Sequence, residues 1–154
     1  MMDFSCAHIL RDTATVKILS PKAKVIKVIY PKSVKDWCAL KGIKIKNGRV
    51  ILWKTVNKSG MDFYSGTINY DCAGEIVDPK WDAEYTEECG CGLHLADSPS
   101  AARMFVRDKP FRLFSVSAAI KDCRCFPGNP NYPMKLRARA CRKIKEYPCD
   151  YWGV

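Results

Sequence analysis

Long apolar runs are missing from this 154-residue chain. Without a stretch of about 18 apolar residues, no membrane-spanning helix is expected. The opening, Met1 to Asp12, carries no basic segment followed by an apolar one, so no secretory leader is expected either. Histidine is scarce, with only His8 and His94. The patterns G-x-S-x-G, G-x-x-x-x-G-K and H-E-x-x-H are all absent, which removes the sequence signals for serine hydrolases, phosphate-cradling loops and zinc proteases. No internal repeat occurs, and no linker is long enough to divide the chain. One domain over residues 1–154 is the expectation, at a length that buries roughly 70% of the unfolded surface.

Cysteine is plentiful. Nine are present, an odd number that argues against a fully paired disulfide framework. Together with the missing leader this predicts a reducing compartment, the cytoplasm of a host cell, where thiols stay free or hold metal. Basic residues exceed acidic ones by ten, and unevenly: residues 1–60 carry a net +10, residues 61–99 a net −8 and residues 100–154 a net +8. A basic surface predicts polyanionic partners, nucleic acid or an acidic host protein. The competing reading is a set of lysine-rich strands solvated on one face.

The pattern predicts an α+β domain, mainly antiparallel strands with a few short helices. Ala23–Tyr30 reads as a strand closed by Pro31. Ser33 caps a short helix through Val34, Trp37, Cys38 and Leu40, ended by Gly42. Asn47-Gly48 between IKIK and RVILWKTV predicts a type I′ hairpin, because that turn needs positive φ at both central residues. Thr67–Tyr70 and Glu75–Val77 read as short strands, and Leu93–Ala96 as a buried one. Ser98 and Pro99 open a helix over SAARMFV. Phe111–Ala119 is a further strand, and the three prolines of Phe126–Pro133 demand a loop. Met134, Leu136, Ala138 and Ala140 then alternate with basic residues, predicting a half-buried strand with a basic outer face. The aromatic tail, CDYWGV, is expected to dock on the body.

Two C-x-C pairs are the candidate chemistry. Residues two apart in an extended chain point to one side. Cys89 with Cys91 and Cys123 with Cys125 can therefore each aim two sulfurs at one point. Convergence of the pairs would give a tetrahedral, structural zinc site, with His94 or Cys72 as a substitute ligand. Gly90 and Gly92 would let the first loop wrap closely around the ion. The competing reading is that the cysteines are small buried hydrophobes. His94 lies between Leu93 and Leu95, where a hydrogen-bonded structural histidine is the common outcome, and no acid–base partner stands beside it in sequence. The candidate contact surface for nucleic acid or an acidic partner is Lys135, Arg137, Arg139 and Lys143, extended by Lys44, Lys46 and Arg49 if the two elements are neighbours.

The segments CGCGLHLADSPSAARMF, FRLFSVSAAIKDCRCFP and MKLRARACRKIKEY resemble the C-terminal part of rIIB-type proteins of tailed bacteriophages and related phage domains. Gly92-Leu93-His94, Ala102, Phe105, Phe126-Pro127 and Lys135-Leu136-Arg137 occupy the matching places, and VILWKTV is similar to that family's first strand. The likeness covers residues 45–147 and leaves the first 40 outside. It implies a phage or prophage origin and an accessory role at the host interface. A fainter likeness, in the rhythm of GLHLADSPSAARMF, is to ADP-ribosyltransferases, which bind a nicotinamide dinucleotide. Those enzymes use a His or Arg on an early strand and a late Glu, whereas VILWKTV offers only Lys54 and Thr55, and the last strand offers no Glu before Glu146. The expected function is a small accessory protein that acts by binding, inhibiting a host nucleic-acid-handling or defence complex through its basic surface, with zinc as a staple. The alternatives are a dinucleotide-using ADP-ribosyltransferase-like enzyme working beside His94, and a basic structural or virion protein.

Overall fold

Ser33 accepts a hydrogen bond from the Asp36 amide at 3.1 Å, and the chain turns at once into helix α1, Val34–Leu40. The computed structural model describes residues 31–85, 89–106, 110–125 and 134–151, together with the backbone alone of 8–9 and 26–27. The predicted Ala23–Tyr30 strand lies outside the described residues apart from Ile26–Lys27, and the Phe126–Pro133 loop lies wholly outside them. Residues 1–30 and 31–154 are separate compact units. In the first unit, β1 (His8–Ile9) pairs in parallel with β2 (Ile26–Lys27).

The second unit is an α+β domain of seven antiparallel strands and two short helices. The strands are β3 (Arg49–Val56), β4 (Glu75–Val77), β5 (Leu93–Ala96), β6 (Arg112–Ala119), β7 (Cys123–Arg124), β8 (Lys135–Ala138) and β9 (Ala140–Tyr147), in the order β4-β9-β6-β3-β5-β8-β7. Helix α2, Pro99–Arg103, starts at the Ser98 cap. No helix among the described residues is long and apolar enough to cross a membrane.

Strands β8 and β9 are joined by one residue, Arg139, yet each lies second from an opposite edge of the sheet. The sheet must therefore curl until its two flanks meet there. The backbone of Arg139 fastens both: its N–H donates to the Asp122 carbonyl at 2.9 Å beside β7, and its carbonyl accepts from the Asp78 N–H at 3.3 Å beside β4. The curl encloses the main core of Val50, Leu52 and Val56 from β3, Phe114, Val116 and Ala118 from β6, and Leu93, Leu95, Leu136 and Ala138, with Trp37 and Cys38 of α1 packed on it. A smaller cluster on the other face joins Ala101 and Ala102 of α2 to Ala96 and Leu113. Of the tail's described residues Tyr151 docks there, stacked on Trp53 at 5.6 Å between ring centres, and residues 152–154 lie outside the described ones.

The predicted hairpin forms only its turn. Asn47 and Gly48 both have positive φ, 49° and 69°, and Lys46 and Arg49 exchange two backbone hydrogen bonds of 2.9 Å. No strand precedes the turn, because β6 and β5 take both flanks of β3. Thr67–Tyr70 likewise forms no strand and contributes a single bridge, Met61 to Asn69.

Candidate ligand cleft at the β3–β5 fork

Strands β3 and β5 pair at one position only, Trp53 opposite Ala96. Beyond it they part, and a cleft of about 780 Å³ opens between them. Lys54 of β3 sits in the fork, and its ammonium donates to the His94 carbonyl at 3.3 Å. A side chain thus supplies the hydrogen bond that a continued ladder would have made. The same ammonium lies 4.9 Å from the centre of the buried Tyr70 ring. Burial lowers the Lys54 pKa to about 8, against the opposing pull of Asp62.

His94 and Ala96 stand on the cleft face of β5, directly across from Arg137 and Lys135 of β8. The His94 Nε2 lies 3.0 Å from the Gly90 carbonyl, and its Nδ1 lies 3.4 Å from the Lys135 ammonium. A carbonyl only accepts and an ammonium only donates, so the proton belongs on Nε2 and Nδ1 is the acceptor. Burial, then the Lys135 charge, lowers the His94 pKa to about 4 and keeps the ring neutral. The Lys135 ammonium also donates to the Cys89 sulfur at 3.3 Å.

Two loops wall the cleft. In the first, the Asp62 carboxylate accepts from the amides of Tyr64, Ser65 and Ile68 and from the Ser65 hydroxyl, which holds its pKa below the ordinary range despite burial. In the second, the buried Asp78 carboxylate accepts from the amides of Lys80 and Gly92, both at 2.8 Å. Both of the described lining carboxylates are therefore engaged in holding loop backbone.

The structure corrects the basic outer face predicted for the last strand. Lys135 is 5% exposed and Arg137 is fully buried. Arg137 lies under the second loop, donating to the carbonyls of Cys91 and Tyr85, with the Trp81 and Tyr85 rings centred 5.5 and 5.3 Å from its guanidinium. The irregular residue Arg139 breaks the alternation. Its own side chain pairs with Asp122 at 3.2 Å. Lys143 pairs with Asp71 and shares that carboxylate with Arg112, which also grips Glu146. Lys44 and Lys46 are exposed at the turn, and Arg49 donates to the Ser117 hydroxyl at 2.8 Å. Arg142, which the predicted stripe omitted, is exposed opposite Ser117.

Among the described residues no group of three or more His, Cys, Asp or Glu side chains gathers as a metal seat. Cys89 faces the cleft, whereas Cys123 is buried in the main core, where burial raises its pKa to about 12. Cys125 packs against that core, as does Cys72, whose thiol points at the Asn69 carbonyl. Gly90, within the first pair, and Gly92, just after it, leave room for ring side chains. A Cβ on Gly90 would stand 1.9 Å from the Tyr85 ring, and one on Gly92 2.8 Å from Trp81. These two rings lie over Arg137, so the glycines make room for the Arg137 stack.

Lys54 was the residue to find from sequence. Val50, Leu52, Lys54 and Val56 share one face of β3, and a lysine on an otherwise apolar face is a signal. Compared with known proteins, the chain matches no family model, no curated protein and no solved structure.

Proposed function

We propose that this protein acts by binding, and that its ligand is a small anionic molecule with an aromatic ring, of the nucleotide class, held in the cleft at the β3–β5 fork. One observation carries the reading: two lysine ammonium groups flank His94, and the described carboxylates that line the same cleft are already engaged by backbone amides. The volume suits a nucleotide-sized ligand. Phe63, Tyr64 and Phe105 line the cleft and offer faces for a ring. Joined to the resemblance to phage domains, the reading is of a phage-type accessory protein that works in a host cell through a small-molecule seat. An ADP-ribosyl transfer is the alternative; it calls for a carboxylate free to act on the ligand, and among the described lining residues Asp62 and Asp78 are both occupied.

Titration with mono- and dinucleotides followed by thermal unfolding tests this. A ligand at 100 times its Kd raises stability by about 2.7 kcal/mol. Lys135→Met is expected to weaken binding about tenfold or more while leaving the fold intact. No stabilisation by any nucleotide at millimolar concentration sinks the proposal.

A second reading, contact with nucleic acid or an acidic host protein, is favoured by Arg49 and Arg142 standing on either side of Ser117 with Lys44 and Lys46 nearby in the chain. A basic structural or virion role would draw on the same surface. Zinc held by Cys89, Cys91, Cys123 and Cys125 has no geometric support among the described residues, and elemental analysis of protein prepared without chelator is its test.

A further inference from the structure

Lys54 is placed unlike any surface lysine of this chain. It rises from the apolar face of β3, between Leu52 and Val56, into the cleft. Its ammonium has three donors, and among the described residues its one hydrogen bond goes to the His94 backbone carbonyl. No described carboxylate forms an ion pair with it: Asp62, an acid whose charge reaches it, is occupied by its own loop. A second cation, Lys135, stands on the ring side of the same histidine. An amine in apolar surroundings, beside another cation and open to a ligand-sized cleft, has the setting of a nucleophilic lysine.

We propose that Lys54 is a reactive amine that condenses with the carbonyl group of an anionic aldehyde or ketone whose charged end is held by Lys135. The reaction begins with loss of a proton from the ammonium to water. The Lys54 Nζ lone pair then forms a bond to the carbonyl carbon as the C=O π electrons move to oxygen; the oxygen takes up a proton and the nitrogen gives one up to water, leaving a neutral carbinolamine. Protonation of that hydroxyl and cleavage of the C–O bond release water, and the nitrogen lone pair closes the C=N bond of an iminium ion. No oxidant or reductant is consumed. The depressed pKa of about 8 supports this by supplying free amine near neutral pH.

The anion contact rests on the cleft reading proposed above, whereas the reactivity of Lys54 stands without it, and the experiment separates the two. The full chain is treated at pH 7.5 with limiting pyridoxal 5′-phosphate or with pyridoxal, reduced with borohydride, and mapped by peptide mass spectrometry. Lys54 is expected to be labelled about tenfold faster than the exposed Lys44 and Lys46. It is expected to react faster with the phosphate-bearing reagent, an advantage that Lys135→Met abolishes. Labelling confined to exposed lysines, with Lys54 unmodified in folded protein, overturns the proposal. Labelling of Lys54 at equal rates by both reagents, unchanged in Lys135→Met, upholds the reactive amine and overturns the anion contact. Because the mapping is done on the unaltered chain, the result does not depend on a Lys54 variant folding.

Discussion

At the scale of single residues, the cleft is organised around a histidine that does not titrate near neutrality. His94 was read as structural or metal-binding, and its contacts are those of a neutral ring wedged between a carbonyl and an ammonium. Its folded pKa, about 4, lies below the ordinary 6.5. Between those values the unfolded chain binds the proton more readily than the folded one. Its stabilising contribution is therefore complete above pH 6.5 and falls as pH drops toward 4, with a slope of at most about 1.4 kcal/mol per pH unit. His94→Gln keeps an amide donor for Gly90 and removes the titration. Stability measured by urea unfolding at pH 7.5, 6 and 5 is expected to fall less steeply in the variant than in the unaltered protein. Identical slopes would place the acid sensitivity elsewhere.

At the scale of elements, the local signals that sit in a few adjacent residues read correctly. Ser33 and Ser98 cap the helices they were expected to cap, and Glu75–Val77 and Leu93–Ala96 are strands with the predicted bounds. A turn signal, by contrast, specifies a turn and not the strands on either side of it. Asn47-Gly48 turns the chain, but the apolar flanks of β3 are satisfied by β5 and β6. The alternating run from Met134 to Cys141 reads as one strand and spans two, because Arg139 resets which face each side chain meets. Deleting Arg139 is expected to shift β9 by one residue against β6, turning the buried Cys141 outward and the exposed Arg142 inward, and so to abolish the cooperative unfolding transition. Arg139→Ala loses only the exposed pair with Asp122 and should cost no more than about 1 kcal/mol. Thermal unfolding of both variants distinguishes a backbone role from a side-chain one, and equal losses would contradict this account.

At the scale of the whole molecule, the net charge is +10, and among the described residues the cations do not form one positive face. Lys135 and Arg137 are turned inward, and Arg112, Arg139 and Lys143 are neutralised by Asp71, Asp122 and Glu146. The free cations near Ser117 are few. If they bind nucleic acid, affinity should fall with a shallow salt slope set by only a few released counterions. Arg142→Glu should weaken DNA and RNA binding about equally, since backbone contacts carry no sequence information. Filter binding at two salt concentrations checks both, and binding that ignores salt and Arg142→Glu would restrict this surface to solvation.

The sequence by itself determined the α+β class, the helix caps, the turn at Asn47-Gly48 and the exclusion of familiar catalytic motifs, because each rests on backbone preferences spanning a few neighbouring residues. Docking of Tyr151 was legible in the same way, from the aromatic composition of the tail. Only the tertiary structure decided which cations are buried, that Cys123 lies in the core while Cys89 faces the cleft, and that Lys54, His94 and Lys135 share that cleft. Those outcomes depend on the curl that brings β8 and β9 to opposite flanks of one sheet and on the single-residue pairing of β3 with β5. Strand partners are chosen by long-range packing, and alternation along a chain tells which residues share a face without telling what that face will meet.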